Sequence, residues 1–229
     1  AGSYRDQFPL PSPVGIRDGT VAAPGPGTDT TANILSLMIY NGYFPVELAV
    51  SPAEVGNVER DDDYETALPR RAVDPDRALW DPAFTADFTR ATPGNTSYAN
   101  LSPLGAGARH WSAAAADPYR AVLGNRGPQI GAVTYRRSGP APALVSGTSN
   151  TLLIHGPRSS WQGNIGYQDN HVDFETHMAP EDVLYTTATG AAERDTLFFD
   201  EPNDAAGENN FLTVTVPAPG APGGRVIWD

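Results

Sequence analysis

Residues 161–174 read WQGNIGYQDNHVDF, and the fold turns on how this stretch is read. Asp and Asn both tolerate the positive φ angles that a two-residue turn requires. NIGYQ turning through Asp169-Asn170 into HVDFE therefore reads as a β-hairpin. Outward from it, short segments of the same kind recur from about residue 120. They are AVLGN, AVTYRR, TLLIH, VLYTT, TLFFD, FLTVTV and RVIWD, several near-alternating and bounded by Gly, Asn, Asp or Pro. The second half of the chain reads as a largely antiparallel sheet.

The first half is irregular. Residues 1–28 contain QFPLPSPVG and VAAPGPGT. Proline blocks both helix and central strand, so this part reads as an extended arm that wraps its own domain or reaches a neighbour. Residues 29–41, DTTANILSLMIYN, read as a helix. Asp29 or Thr30 caps it, Ile34, Leu35, Met38 and Ile39 form its apolar stripe, and Gly42 stops it. In residues 79–100, Trp80, Phe84 and Phe88 fit either a short amphipathic helix entered at Asp81-Pro82 or a segment pinned by its aromatics. No composition break divides the chain, so residues 29–229 read as one domain, α+β and mainly β.

The 229 residues are 40% hydrophobic, enough for a core. Gly 23 and Pro 22 make up about a fifth of the chain, against a usual ~12%, which favours turns over a helix bundle. A net charge of −12 makes nucleic acid a poor partner, because its phosphates would be repelled. All 15 basic residues are arginine, which excludes a Schiff-base or P-loop lysine. The absence of cysteine removes disulfides, thiolate metal sites and a thiol nucleophile. No stretch approaches the length and apolarity of a membrane span, and no signal peptide is visible.

Two groups of residues carry candidate chemistry. His155, Asp169 and His171 lie within 17 residues and can approach one another if TLLIH pairs with the hairpin, giving a metal or catalytic cluster. The plainer reading is a polar hairpin in which an imidazole satisfies turn groups and Trp161 packs over them. The acidic loop 200–210, DEPNDAAGENN, offers Asp200, Glu201, Asp204 and Glu208 as the hard oxygen ligands that Ca²⁺ takes, without the EF-hand order. Its alternative is a solvated loop between strands. Asn95 and Asn100 each head an N-glycosylation sequon. No nucleophile elbow or phosphate loop is present.

Five blocks also form a recognisable series. They are GTDTTANILSLMIYNGYFPVELAVSPAE, AVLGNRGP, SNTLLIHG, SSWQGNIGYQDNHVDFET and LFFDEPNDAAGENNFLTVTV. In this order and spacing they resemble the globular part of pilin-like, pseudopilin-like secreted proteins abundant in planctomycete-type bacteria. The resemblance implies a pilin-like fold, with an N-terminal helix, irregular segments and an antiparallel sheet. It also implies export and assembly at the cell surface rather than catalysis. The group's hydrophobic N-terminal helix is not in this chain, and Ser51-Pro52 stands where the group often has Cys-Pro.

The function expected first is therefore an extracellular structural subunit. It would assemble with copies of itself, into a pilus-like filament, through residues 1–28 or 211–229. The alternative is a surface domain that binds glycans or Ca²⁺, with Trp80 and Trp111 as exposed aromatics; a hydrolase is the weaker variant.

Overall fold

The computed structural model describes residues 8–14, 19–104, 110–111, 116–205, 207–218 and 224–229. Among these residues the chain is mostly β, with ten strands paired antiparallel and three short α-helices. This corrects the pilin-like, α+β expectation, because no long N-terminal helix organises the sheet. The reason is local. Thr30 caps the 29–41 segment by accepting from Asn33 N, and Gly42 ends it at φ 74°. The helix between these stops has ten residues, about 15 Å.

The chain divides into two compact units. The first comprises residues 1–97 and 214–227. It contains α1 (Pro11–Val14), α2 (Thr31–Tyr40), the end of β9 (Leu212–Pro217) and its partner β10 (Gly224–Ile227). Helix α2 is buried on most sides, which explains why Thr31 and Ser36 on it need partners. Thr31 N donates to Thr215 Oγ1 at 3.0 Å and Thr215 N donates back to Thr31 Oγ1 at 2.9 Å, clasping helix to ribbon. Ser36 Oγ donates to Asp81 O.

The described part of the 1–28 arm is not simply extended. It makes one helical turn at Pro11–Val14 and folds onto its own unit. Ser12 binds the Asp29 carboxylate through N and Oγ, and Gly19 exchanges backbone bonds with Arg77 and Asp74. Residues 1–7 and 15–18 of the arm lie outside the described residues. The 79–100 aromatics form no helix. Asp81 and Asp87 each turn the backbone by accepting from the N–H two residues on, and Trp80, Phe84 and Phe88 are buried.

The second unit comprises residues 98–213 and 228–229. Its main sheet runs from the start of β9 through β1 (Tyr98–Leu101), β2 (Ala121–Asn125) and β5 (Gly163–Tyr167) to β6 (Val172–Glu175). Two separate ribbons pair β3 (Ile130–Arg136) with β4 (Gly139–Leu144), and β7 (Leu184–Thr186) with β8 (Ala192–Arg194). Leu101, Ile165, Leu197, Phe198 and Leu212 are buried with Trp161, whose ring meets Phe198 edge-on at 4.9 Å. Trp161 Nε1 donates to Arg126 O, so its one polar group is satisfied.

The central hairpin forms as β5–β6, with a longer turn than expected. Tyr167 N donates to His171 O, leaving Gln168, Asp169 and Asn170 as a three-residue loop. Only Asn170 takes positive φ, 75°, as the third residue of such loops does. Two expected strands are absent. TLLIH is the helical turn α3 (Thr151–Ile154), and TLFFD is an irregular segment anchored by buried Leu197 and Phe198.

Candidate functional site

The histidine group does not assemble. His155 ends α3 and packs edge-on against Phe174, ring centres 5.7 Å apart. His171 belongs to the turn. Its Nδ1 lies 2.5 Å from Asp169 Oδ1, its ring stacks on Tyr167 at 4.5 Å, and its Nε2 is 3.4 Å from Asp173. Asp169 is held low, first by the His171 backbone N–H and then by its ring. The plainer reading therefore describes these residues: a polar loop that closes a hairpin.

Both sequon asparagines hydrogen-bond within the fold. Asn95 Oδ1 accepts from Thr85 N and its Nδ2 donates to Glu59 O, bridging two loop segments. Asn100 is buried in β1, and its Nδ2 donates to Leu101 O, so a glycan cannot reach it in the folded chain. Trp80 and Trp111 are both buried, which removes the exposed aromatics invoked for glycan binding.

The acidic loop is different. Of its four carboxylates, two bind the loop's own groups and a third binds β7. Asp204 Oδ2 accepts from Asn209 N, Asp200 Oδ1 from Asn209 Nδ2, and Glu208 Oε2 from Thr186 N. Backbone bonds between Ala188 and Asn203 and between Ala205 and Thr186 fasten the loop to β7. Glu201 alone turns inward. Its Oε1 accepts from Thr196 N at 3.2 Å and Tyr135 Oη at 3.0 Å. That places it beside Asp195, a residue that the sequence reading did not single out.

Asp195 is 0% and Glu201 2% exposed. Asp195 Oδ2 accepts both the N–H and the side-chain amide of Asn210, at 2.6 and 2.9 Å. Asn210 Oδ1 in turn accepts from Ala121 N, tying the site to β2. Arg120 reaches the same loop through the Glu208 and Asn209 carbonyls. Tyr185 Oη lies 3.1 Å from Tyr135 Oη and 2.9 Å from Asn203 Oδ1, extending the polar network.

What remains is a set of orphaned oxygens. Among the described residues, six buried side-chain polar atoms lack a partner. Four of them belong to this cluster: Asp195 Oδ1, Thr196 Oγ1, Glu201 Oε2 and Asn209 Oδ1. Burial pushes the Asp195 carboxyl up to about 6, with the Asn210 hydrogen bonds and the Arg120 charge opposing. Burial, then the Asp195 charge, pushes Glu201 up to about 8. Two ionised carboxylates cannot hydrogen-bond to each other, so the pair needs a shared proton or a cation. Among the described residues, no three His, Cys, Asp or Glu side chains converge as a metal centre would need. The oxygens here are mixed, two carboxylates with an amide and a hydroxyl. That composition suits a hard cation such as Ca²⁺ and not a His- or Cys-seeking one.

No protein-family model, curated protein or solved structure matches the chain. The pilin-like resemblance rests on the quoted blocks alone. Among the described residues, no helix is long and apolar enough to cross a membrane.

Proposed function

We propose that the chain is a calcium-binding structural domain whose 195–210 loop is organised by the ion. The observation that supports it is the concentration of orphaned buried oxygens at Asp195, Thr196, Glu201 and Asn209. Each such atom costs on the order of 1–3 kcal/mol if left unmade, and more for a charge. A Ca²⁺ ion held by the Asp195 and Glu201 carboxylates would take the place of their shared proton and neutralise the pair, with neighbouring oxygens or water completing its six to eight ligands. The burial also favours a structural over a catalytic role for the pair, because a carboxylate closed off from solvent cannot meet a substrate.

The test is calorimetric titration with Ca²⁺ and, separately, Zn²⁺, with thermal unfolding in chelator and in each ion. Ca²⁺ should give heat and raise the midpoint, and Zn²⁺ should do neither. Because the ion displaces the proton that the pair otherwise shares, binding should release protons and tighten between pH 6 and about 8. No heat and no midpoint shift with Ca²⁺ would end the proposal.

A second reading, self-association, is favoured by one observation. Strand β6 ends the sheet order with β5 as its sole partner, and Val172 and Phe174 on it are 64% and 51% exposed. Such an edge is a template for another strand. Electron microscopy of concentrated native protein tests it: dispersed monomers would argue against it, and regular polymers for it.

A further inference from the structure

The β6 edge sits in a region of one charge. Residues 159–182 carry five Asp and Glu side chains and no arginine or lysine. Asp173, on the edge strand itself, is exposed, as are Glu181 and Asp182. The Tyr167 hydroxyl donates to Glu175 Oε1 at 2.9 Å and lies among these carboxylates. It is pushed far up, by burial first, then by its bond to Glu175 and by the charges of Glu175, Asp173 and Asp182. Two β6 edges brought together would set these charges against their own copies. Like charges directly opposite across a strand pair are destabilising, so β6 is guarded against pairing with itself.

The opposite charge stands elsewhere on the same unit. The β3–β4 ribbon pairs only with itself, and most of β3 and the turn after it are exposed. At its tip are Arg136 and Arg137, which with Gly139 and Arg194 line a recess of about 380 Å³; Glu193 is the one acidic side chain among its lining residues. Neither tip arginine forms an ion pair among the described residues. Gly139, at φ 111°, turns the ribbon so that both arginines stand at its end. In a chain of net charge −12, an unpaired arginine tip and an arginine-free strand edge are complements.

We propose that the β6 edge of one copy receives the Arg136–Arg137 ribbon of a second copy. The inference rests on the self-association reading and names its surface and its partner. Backbone groups along β6 pair with a ribbon strand, Val172 and Phe174 are covered, and the arginines meet Asp173 and its acidic neighbours. The two surfaces differ, so the contact is head-to-tail. It closes into a ring or continues as an open helical array according to the rotation per step.

Sedimentation velocity across a concentration series, at low and high salt, tests this with the full chain. Wild type should associate, and less so at high salt. R136E/R137E and D173R/D182R should each weaken association by about tenfold or more, as charge reversal across an interface does. All four positions are exposed, and thermal midpoints close to wild type would show that both variants fold. Mixing the two variants should restore assembly, because the reversed tip of one then faces the reversed edge of the other. If D173R/D182R folds poorly, R136E/R137E at the ribbon tip decides alone. Wild-type association unchanged in the charge variants would overturn this surface and leave self-association standing. A wild type that stays monomeric at every concentration and salt would remove both. Monomers that bind a sulfated polysaccharide through Arg136 and Arg137 would overturn the second copy as the occupant.

Discussion

Replacing Glu201 with Gln separates the charge of the buried pair from its shape. The amide keeps an acceptor for Thr196 N and Tyr135 Oη, and adds N–H groups that can reach Asp195 Oδ1. It cannot ionise. In the wild type, Glu201 titrates near 8 in the fold against an ordinary 4.5. The folded state therefore holds a proton that the unfolded state gives up. Stability falls as pH rises from about 4.5 through about 8 and flattens above it. At about 1.4 kcal/mol per unit, the full difference has a ceiling on the order of 5 kcal/mol. Sharing of the burden with Asp195 and local relaxation reduce this to roughly 2–3 kcal/mol. Urea unfolding in chelator should show E201Q close to wild type at pH 5 and more stable by that amount at pH 8.5. Millimolar Ca²⁺ should reverse the order at pH 8.5, because only the wild type offers the ion both carboxylates. An E201Q variant destabilised equally at both pH values, or stabilised by Ca²⁺ as much as wild type, would refute the reasoning.

Other substitutions test the scaffold around this site. Arg126 is buried, and its Nη1 is 3.1 Å from Asp229 Oδ2, so D229A should cost about 1.5–3 kcal/mol in chemical unfolding through the loss of a charge-assisted hydrogen bond. A loss below about 0.5 kcal/mol, the scale of an ordinary surface change, would assign the burden to other partners of Arg126. At Gly127 an added Cβ would overlap the buried Phe198 ring, and G127A should cost about 1–3 kcal/mol by overpacking, read as a lowered thermal midpoint. At Asn170, with φ 75°, N170G should be neutral or stabilising, whereas the β-branched N170V should lose about 1–2 kcal/mol. Equal stability of those two variants would show that the turn does not depend on the left-handed residue.

Local signals in the sequence were legible where they were complete within a few residues. The Thr30 cap and the Gly42 stop lie at the two ends of one amphipathic segment, and helix α2 forms between them. The β5–β6 hairpin was legible for the same reason, apart from one residue of loop length. TLLIH misled because four apolar-rich residues fit a strand or a helical turn equally. The deciding signal was the preceding Ser149-Asn150, since Ser149 Oγ accepts from Thr151 N and starts the turn. GPAPAL is not among the segments read as strands, and it contains two prolines. It pairs as β4 only because its ribbon has a free edge, where a missing N–H costs nothing. Asn100 announced a surface sequon and instead lies inside β1, since a tripeptide pattern says nothing about burial.

The candidate site was half legible for a deeper reason. Acidic residues crowd 200–210, and composition alone pointed there, but it could not say which carboxylate turns inward. That choice is made by residues far along the chain. Tyr135, on β3, donates to Glu201, and Asn210 fixes the other member of the pair, Asp195, from 15 residues away. Asp200, Asp204 and Glu208, the more conspicuous ligands, each hold part of the loop and are less buried than Glu201 and Asp195, so water can serve their remaining lone pairs. The chemistry falls to the oxygens that the loop leaves over. Tyr135 also ties the site to the ribbon, for its neighbour Arg136 begins the arginine tip. Sedimentation of wild type in chelator and in Ca²⁺ therefore probes a link between the two proposals. If the ion fixes Glu201, it fixes the Tyr135 anchor and with it the aim of the ribbon, so association should strengthen with Ca²⁺. The tyrosine variant Y135F should lose that dependence, yet still associate, because its arginines and the β6 edge are untouched. Calcium-dependent association that survives in Y135F would separate the two sites.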